Sequence, residues 1–308
     1  MIADYEVHKL QVLARLKHKV NHAISNNQPL FCIGFQLADF SLSDLNINKR
    51  FTKPVYFSGS QFFGYADFKE AIFQERAVFS DACFQGRADF FGACFKGGAY
   101  FDKAHFQEIV FFSGAKFEGK EADFNNSEFY GKTYLGHFNG KTKFNYVLFE
   151  GKDKVIFDIE NLSNVCFMNT DITGVRFNDK ARWGEKKVEY NKFWGGKKVK
   201  EDRFKIIDER LLEGKIKEKD GHTSKDFNLG SIKTVYRSIR ENYEYRMRYD
   251  EAGQFFIREM ELKRLYKEIP SKEEEEEEEE EANSLEIKQN NWFKRNLFSL
   301  TGWYYHLS

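Results

Sequence analysis

The chain has little proline, little cysteine and no excess of either charge. Pro accounts for 3 of its 308 residues. Its four Cys (Cys32, Cys83, Cys94, Cys166) are scattered without a CxxC pair, which removes zinc-ribbon and thioredoxin-type readings and fits a reducing compartment. Lys+Arg and Asp+Glu both number 48, with the two signs interspersed over most of the chain, so nucleic-acid binding has no support. No apolar stretch approaches ~18 residues, so no segment is expected to span a bilayer. No apolar run follows Met1, so no secretory leader is expected. GxSxG, HExxH and dinucleotide fingerprints are missing, and Gly195-Gly196-Lys197-Lys198 lacks phosphate-loop spacing. No catalytic, metal or cofactor-binding residue is therefore assigned. His18 and His22 lie four apart without a third ligand. His105 and His137 fall inside the repeat described next, where stacked turns could gather His and acids, but nothing in the sequence specifies such a site.

What the chain has in excess is Phe, 34 residues against 15 Tyr and 4 Trp. They recur at Phe57, Phe62, Phe68, Phe73, Phe79, Phe84, Phe90, Phe95, Phe101, Phe106, Phe112 and Phe117, with gaps alternating five and six. Two residues before each stands a small or β-branched residue, as in Ala66, Ala71, Ala77, Ala82, Ala88 and Val110. The pattern loosens through Phe124, Phe129, Leu135, Phe144 and Phe149, then becomes a strict five at Phe157, Leu162, Phe167, Ile172 and Phe177. Upstream, Phe35, Phe40, Leu45 and Phe51 lead into it. In a helix, steps of five and six would throw successive Phe onto two faces. In a flat strand each five-residue step would flip the Phe to the other side. A chain that turns a corner every five or six residues removes both conflicts. Each unit becomes one side of a square coil, with Phe and the small residue inside. Cys83 and Cys94 each precede a core Phe and are expected outside, on opposite sides of the rod.

The segments ADFKEAIFQERAVFSDACFQGRADFFGACFKGGAYF (66–101) and NLSNVCFMNTDITGVRF (161–177) resemble pentapeptide-repeat proteins, whose motif is A(D/N)LXX with Leu or Phe at the centre. The resemblance covers roughly residues 30–180. It implies a mainly β solenoid, a right-handed quadrilateral β-helix, with bulged corners wherever this sequence inserts its extra residue. At four sides per coil and a strand spacing near 4.8 Å, about six coils make a rod of roughly 30 Å. Solenoids need capped ends, because open sheet edges pair with other chains.

The expected order is a capping helix in 1–28, the β-helix in 29–180, a basic exit segment and helix in 181–230, a helical hairpin in 231–268, an acidic linker in 269–285 and an aromatic and basic tail in 286–308. In the cap, Val7, Leu10, Leu13, Ala14, Val20 and Ala23 have helical spacing. In the hairpin, Ile232, Val235, Ile239, Tyr243 and Met247 make one stripe, and Ala252, Phe255, Phe256, Met260 and Leu265 the other. Residues 236–267 resemble the tetratricopeptide-like hairpin of multidomain pentapeptide-repeat proteins in which a channel-like membrane segment follows. The tail gathers Trp292, Phe293, Lys294, Arg295, Phe298, Trp303, Tyr304 and Tyr305, a mixture suited to a membrane interface. In a membrane-anchored relative the chain would enter the bilayer here, so a continuation beyond Ser308 is one expectation.

The functional expectation is a non-enzymatic scaffold binding a protein partner, in the cytoplasm or at the cytoplasmic face of a membrane. A homodimer through an uncovered β-helix end is the second partner expectation, with the far end near Phe177 favoured unless 181–217 cover it. The alternatives are a DNA-mimic modulator of a topoisomerase, as the family resemblance allows, and an uncharacterised enzyme. The mimic requires an acidic rod, and residues 51–180 hold 17 acids against 15 bases.

Overall fold

The structure, a computed structural model, describes residues 2–42, 49–184, 186–190, 197–201, 203–217 and 229–265. The chain divides into a unit spanning Met1–Met260 and a second spanning Glu261–Ser308. The first unit is a parallel β-solenoid of about six turns, with helix α1 (Ile2–Ser25) at its start and helices α2 (Ile207–Lys217), α3 (Leu229–Tyr245) and most of α4 (Tyr249–Leu265) after it.

Four sheets form the sides. Face 1 has seven strands, from Leu30–Phe31 to Val165–Cys166. Face 2 has six, from Gln36–Leu37 to Leu148–Phe149. Face 3 has seven, from Phe40–Ser41 to Arg176–Phe177, and face 4 has five, from Arg50–Phe51 to His137–Phe138. Most strands are two residues long, and all their pairings are parallel and coil-to-coil. Ala77 pairs with Ala99 and Cys83 with His105, so one regular coil takes 22 residues, or two five-plus-six units.

The two unit lengths make two kinds of corner. After Phe68, Phe79, Phe90 and Phe101 the N–H three residues on donates back to the Phe carbonyl at 3.0–3.2 Å. The residue between, at Glu70, Asp81, Gly92 or Lys103, has φ between 56° and 65°. This is a type II turn, and it is complete in five residues. The six-residue corners carry the extra residue in a wider bend, and many place Gly two after the Phe. The reason is close stacking: at Gly119 a Cβ would lie 1.9 Å from the Gly97 carbonyl oxygen one coil below.

Inside, Phe stacks on Phe from coil to coil. Phe62, Phe84 and Phe106 are 4.7–4.9 Å apart by ring centroid and stack nearly parallel. Phe68 meets Phe79 edge-on at 5.2 Å across the axis. The twenty-two slot residues named above from Phe57 to Phe177 are all buried, as are the alanines two before them. A buried Phe contributes on the order of 2–3 kcal/mol, which lets a core this narrow offset chain entropy.

Three departures from the sequence pattern have plain causes. In the first coil the inward column is Cys32, Leu37 and Leu42, not Phe35: Leu37 pairs with Phe62, and Phe35 is half-exposed. Phe40 pairs with Ala66 and so fills the small-residue column, where no coil below crowds it. Phe138, absent from the periodic set, is buried and 4.9 Å from Phe117, because the chain turns three residues after Leu135. Leu45 lies outside the described residues.

The same column ends on Trp183, which follows the Asn161–Arg182 bridge and packs on Phe177 at 4.9 Å. Beyond it Lys186–Tyr190 and Lys197–Glu201 pair as an antiparallel hairpin, where the sequence suggested a featureless exit. Ile232, Val235, Tyr236, Ile239 and Tyr243 of α3 are buried, with Ala252 and Phe255 of α4. Met247 and Phe256 are exposed, against expectation. Met247 sits in the interhelical turn at φ 57°, outside both helices, and Phe256 points away from the α3 stripe under the Arg240 guanidinium.

Candidate interaction surface

The two ends of the rod decide which surface is left for a partner. At the far end the last coil presents open backbone carbonyls, and the helices cover them with long polar side chains. The amide of Asn242 donates to Ile172 O at 2.8 Å and Val175 O at 2.7 Å. Arg246 donates to Gly174 O and Val175 O, Arg248 to Asp179 O, and Arg210 to Ser163 O. Trp183 is buried beneath them and donates its indole N–H to Tyr243 at 3.1 Å. Asp208, at the start of α2, accepts from the Cys166 thiol while its second oxygen has no hydrogen-bond partner among the described residues; burial pushes its carboxyl up to about 6. The condition attached to pairing through the far end, an uncovered coil, is therefore not met.

At the near end, among its described side chains, α1 buries Leu16, Val20 and Ala23. Ala14, expected in the apolar stripe, is exposed, and Leu16, which the spacing argument passed over, is fully buried; Val7, Leu10 and Leu13 are not described. Lys19 donates to Phe31 O at 3.2 Å and its ammonium lies 5.3 Å from the Phe35 ring. Beside α1 the first coil leaves Phe31 51% and Ile33 60% exposed.

The four sides differ in chemistry. The outward column of face 1 runs Phe31, Tyr56, Val78 and Tyr100. Phe31 stacks flat on Tyr56 at 5.0 Å. Face 3 also holds an aromatic pair, Phe111 and Tyr134, but the Arg87 guanidinium lies 4.5 Å from Phe111 and the Lys132 ammonium 5.2 Å from Tyr134. Arg87 is in turn fixed by the buried Asp89, which Lys69 and the Tyr65 hydroxyl also reach. On face 1 the Arg76 guanidinium likewise lies 5.1 Å from the Tyr100 ring, whereas among the described residues the stacked Phe31–Tyr56 pair has no cation over it. Face 4 carries Arg50, Ile72, Cys94, Lys116 and His137.

Face 2 brings together what the sequence could only raise as an option. Cys83, His105 and Glu128 stand in one column on successive coils. His105 Nδ1 is 2.9 Å from Glu128 Oε2, and the Tyr130 hydroxyl donates to the same oxygen at 2.7 Å. These hydrogen bonds hold the Glu128 carboxyl below its usual range, that of Tyr130 foremost. Burial pushes the Cys83 thiol up, so the column supplies no thiolate at neutral pH. Cys83 and Cys94 are partly exposed on two different faces, and all four cysteines are free. Burial pushes Cys32 up to about 12 and raises Cys166 further.

Among the described residues no group of three or more His, Cys, Asp and Glu is placed to hold a metal. No helix of the described residues is long and apolar enough to cross a membrane. The interface set Trp292, Phe293, Lys294, Arg295, Phe298, Trp303, Tyr304 and Tyr305, with the acidic run Glu273–Glu281, lies outside the described residues. In comparisons with known proteins, the family model described as pentapeptide repeats (9 copies) matches residues 50–93 and 90–139. No curated protein and no solved structure matches the chain.

Proposed function

We propose that this pentapeptide-repeat protein, whose residues 50–139 carry the family match, is a non-enzymatic scaffold that binds a protein partner along face 1. The observation that carries the reading is the aromatic ladder. Phe63 and Phe91 are also exposed but singly, beside Gln85 and Ser113 on the neighbouring coils, and scattered apolar residues need no explanation. Exposed Phe31 and Ile33 and half-buried Tyr56, Val78 and Tyr100 instead form one strip, and aromatic residues lose little conformational freedom when a partner covers them. The DNA-mimic reading gains nothing from the geometry, since Asp89 and Glu121 are neutralised locally by Arg87 and Lys143.

A photoreactive benzoylphenylalanine placed at Tyr56 or Tyr100 in the full chain tests the reading in extracts of the native cell. One and the same partner, identified by mass spectrometry from both positions and not from Phe111, is the expected result. Adducts that are absent, or that do not differ between face 1 and face 3, count against it.

The aromatic and basic tail supports a second element of the proposal, attachment at a cytoplasmic membrane surface. The full chain should float with phosphatidylglycerol vesicles at low salt, and a chain ending at residue 285 should not. Equal behaviour of the two removes the membrane element.

A further inference from the structure

Two open grooves flank α1 where it lies on the first coil. The larger, of about 730 Å³, has Val12, Ala14 and Phe35 along its floor and Arg15, His18 and Lys19 on its rim. The smaller, of about 300 Å³, shares His18 and Lys19 with it and runs past His22, Leu30 and Phe31. Among the described residues no carboxylate lines either groove. Arg15, His18 and Lys19 thus edge the larger groove, an apolar trough at the end of a rod whose acids and bases otherwise nearly balance.

We infer that this trough docks an acidic peptide segment of a partner protein through an apolar anchor set against Phe35, with the partner's carboxylates against Arg15, His18 and Lys19. Charge complementarity selects the anionic class, because an anion here meets Arg15 and Lys19 on the rim and, among the described residues, no lining carboxylate repels it. Groove shape selects a peptide over an acyl chain. The trough is open along its length, so a bound acyl chain would leave apolar surface in water, whereas an amphipathic peptide turns its polar side outward. The smaller groove, which shares His18 and Lys19 with the trough, is lined by Phe31 and so links the trough to the face 1 ladder. This inference rests on the scaffold reading and assigns the chemistry of its partner.

The test uses the full chain and two fluorescein-labelled peptides. One has Phe and Leu at i, i+3, i+4 and i+7 with Glu elsewhere; the other replaces every Glu by Lys. The acidic peptide should bind at low salt and the basic one should not. Arg15→Glu combined with His18→Glu, both exposed on α1, should weaken the acidic peptide by about tenfold or more. Phe35→Ala should weaken it without altering its salt dependence. Circular dichroism and thermal melting of each variant establish that α1 and the coil remain folded. The inference is overturned if the acidic peptide does not bind, if both peptides bind alike, or if charge reversal leaves affinity unchanged. Binding of phosphatidylglycerol vesicles through these residues in place of the peptide would also overturn it. Loss of peptide binding with crosslinking at Tyr100 intact would sink the groove assignment and leave the scaffold reading standing; failure of both would remove the scaffold.

Discussion

The two ends of the solenoid solve the same problem by different means. At the far end Asn242, Arg246, Arg248 and Arg210 reach from the helices to individual backbone carbonyls, and Trp183 seals the core. At the near end α1 rests on the first coil through Leu16, Val20 and Ala23, and the first coil replaces Phe with Cys32, Leu37 and Leu42. An end built from directed hydrogen bonds resists both fraying and a second rod. The near end, where the described side chains of α1 add one Lys19 hydrogen bond to those apolar contacts, has grooves and exposed Phe31 beside it. On the proposed reading the far end serves stability and the near end recognition.

The largest effect should come from Trp183→Ala, which opens a cavity between the last coil and the helices. A loss of about 3–5 kcal/mol in urea unfolding is expected. The matched change at the other end, Phe35→Ala, removes a half-exposed ring and should cost about 1 kcal/mol or less. Equal costs would break the asymmetry.

The pH dependence of Asp208 comes next. Its carboxyl rises from 3.8 unfolded to about 6 folded through burial. Between those values the native state holds the extra proton, so this group's contribution is fully present below about 3.8 and is lost as pH rises through about 6. Relative to Asp208→Asn, the wild-type chain should lose on the order of 2–3 kcal/mol between pH 4 and 7. A parallel pH profile for the two chains would remove Asp208 from the cap.

Asn242→Ala leaves two carbonyls without their donor and should cost about 1–3 kcal/mol. Lys19→Ala, at the exposed near end, should cost under about 1 kcal/mol by the same measurement. Gly59→Ala should likewise cost no more than about 1 kcal/mol, since φ is 63° but nothing lies within 4 Å of the added Cβ. Gly119→Ala meets backbone, so it sharpens the account of the two corner types if it costs clearly more.

The regular coils were legible in the sequence because their signal is covalent spacing: five and six residues set where Phe must point, and the slots from Phe57 to Phe117 need no other information. The first coil was not, because its inward residues are Cys32, Leu37 and Leu42, a set that lacks the Phe signature, while Phe35 and Phe40 carry it in the wrong columns. Phe138 was hidden by a corner shortened to three residues. The face 2 column of Cys83, His105 and Glu128 depends on register across coils, which no local spacing displays. The capping role of Asn242 was equally invisible, since its carbonyl partners lie about 70 residues earlier. Trp183, placed by the sequence in an exit segment, is a core residue only because the helices return to cover it.

Cys32 lies buried in the first coil and Cys166 buried in the last, so the chain carries a thiol reporter at each end. Native-state thiol labelling across a urea series measures the free energy of opening at each one separately. Cys32 should label through a local opening well below the global unfolding free energy, and Cys166 only with global unfolding. Labelling of Cys166 before Cys32, or of both at one common free energy, would contradict the difference between the two ends.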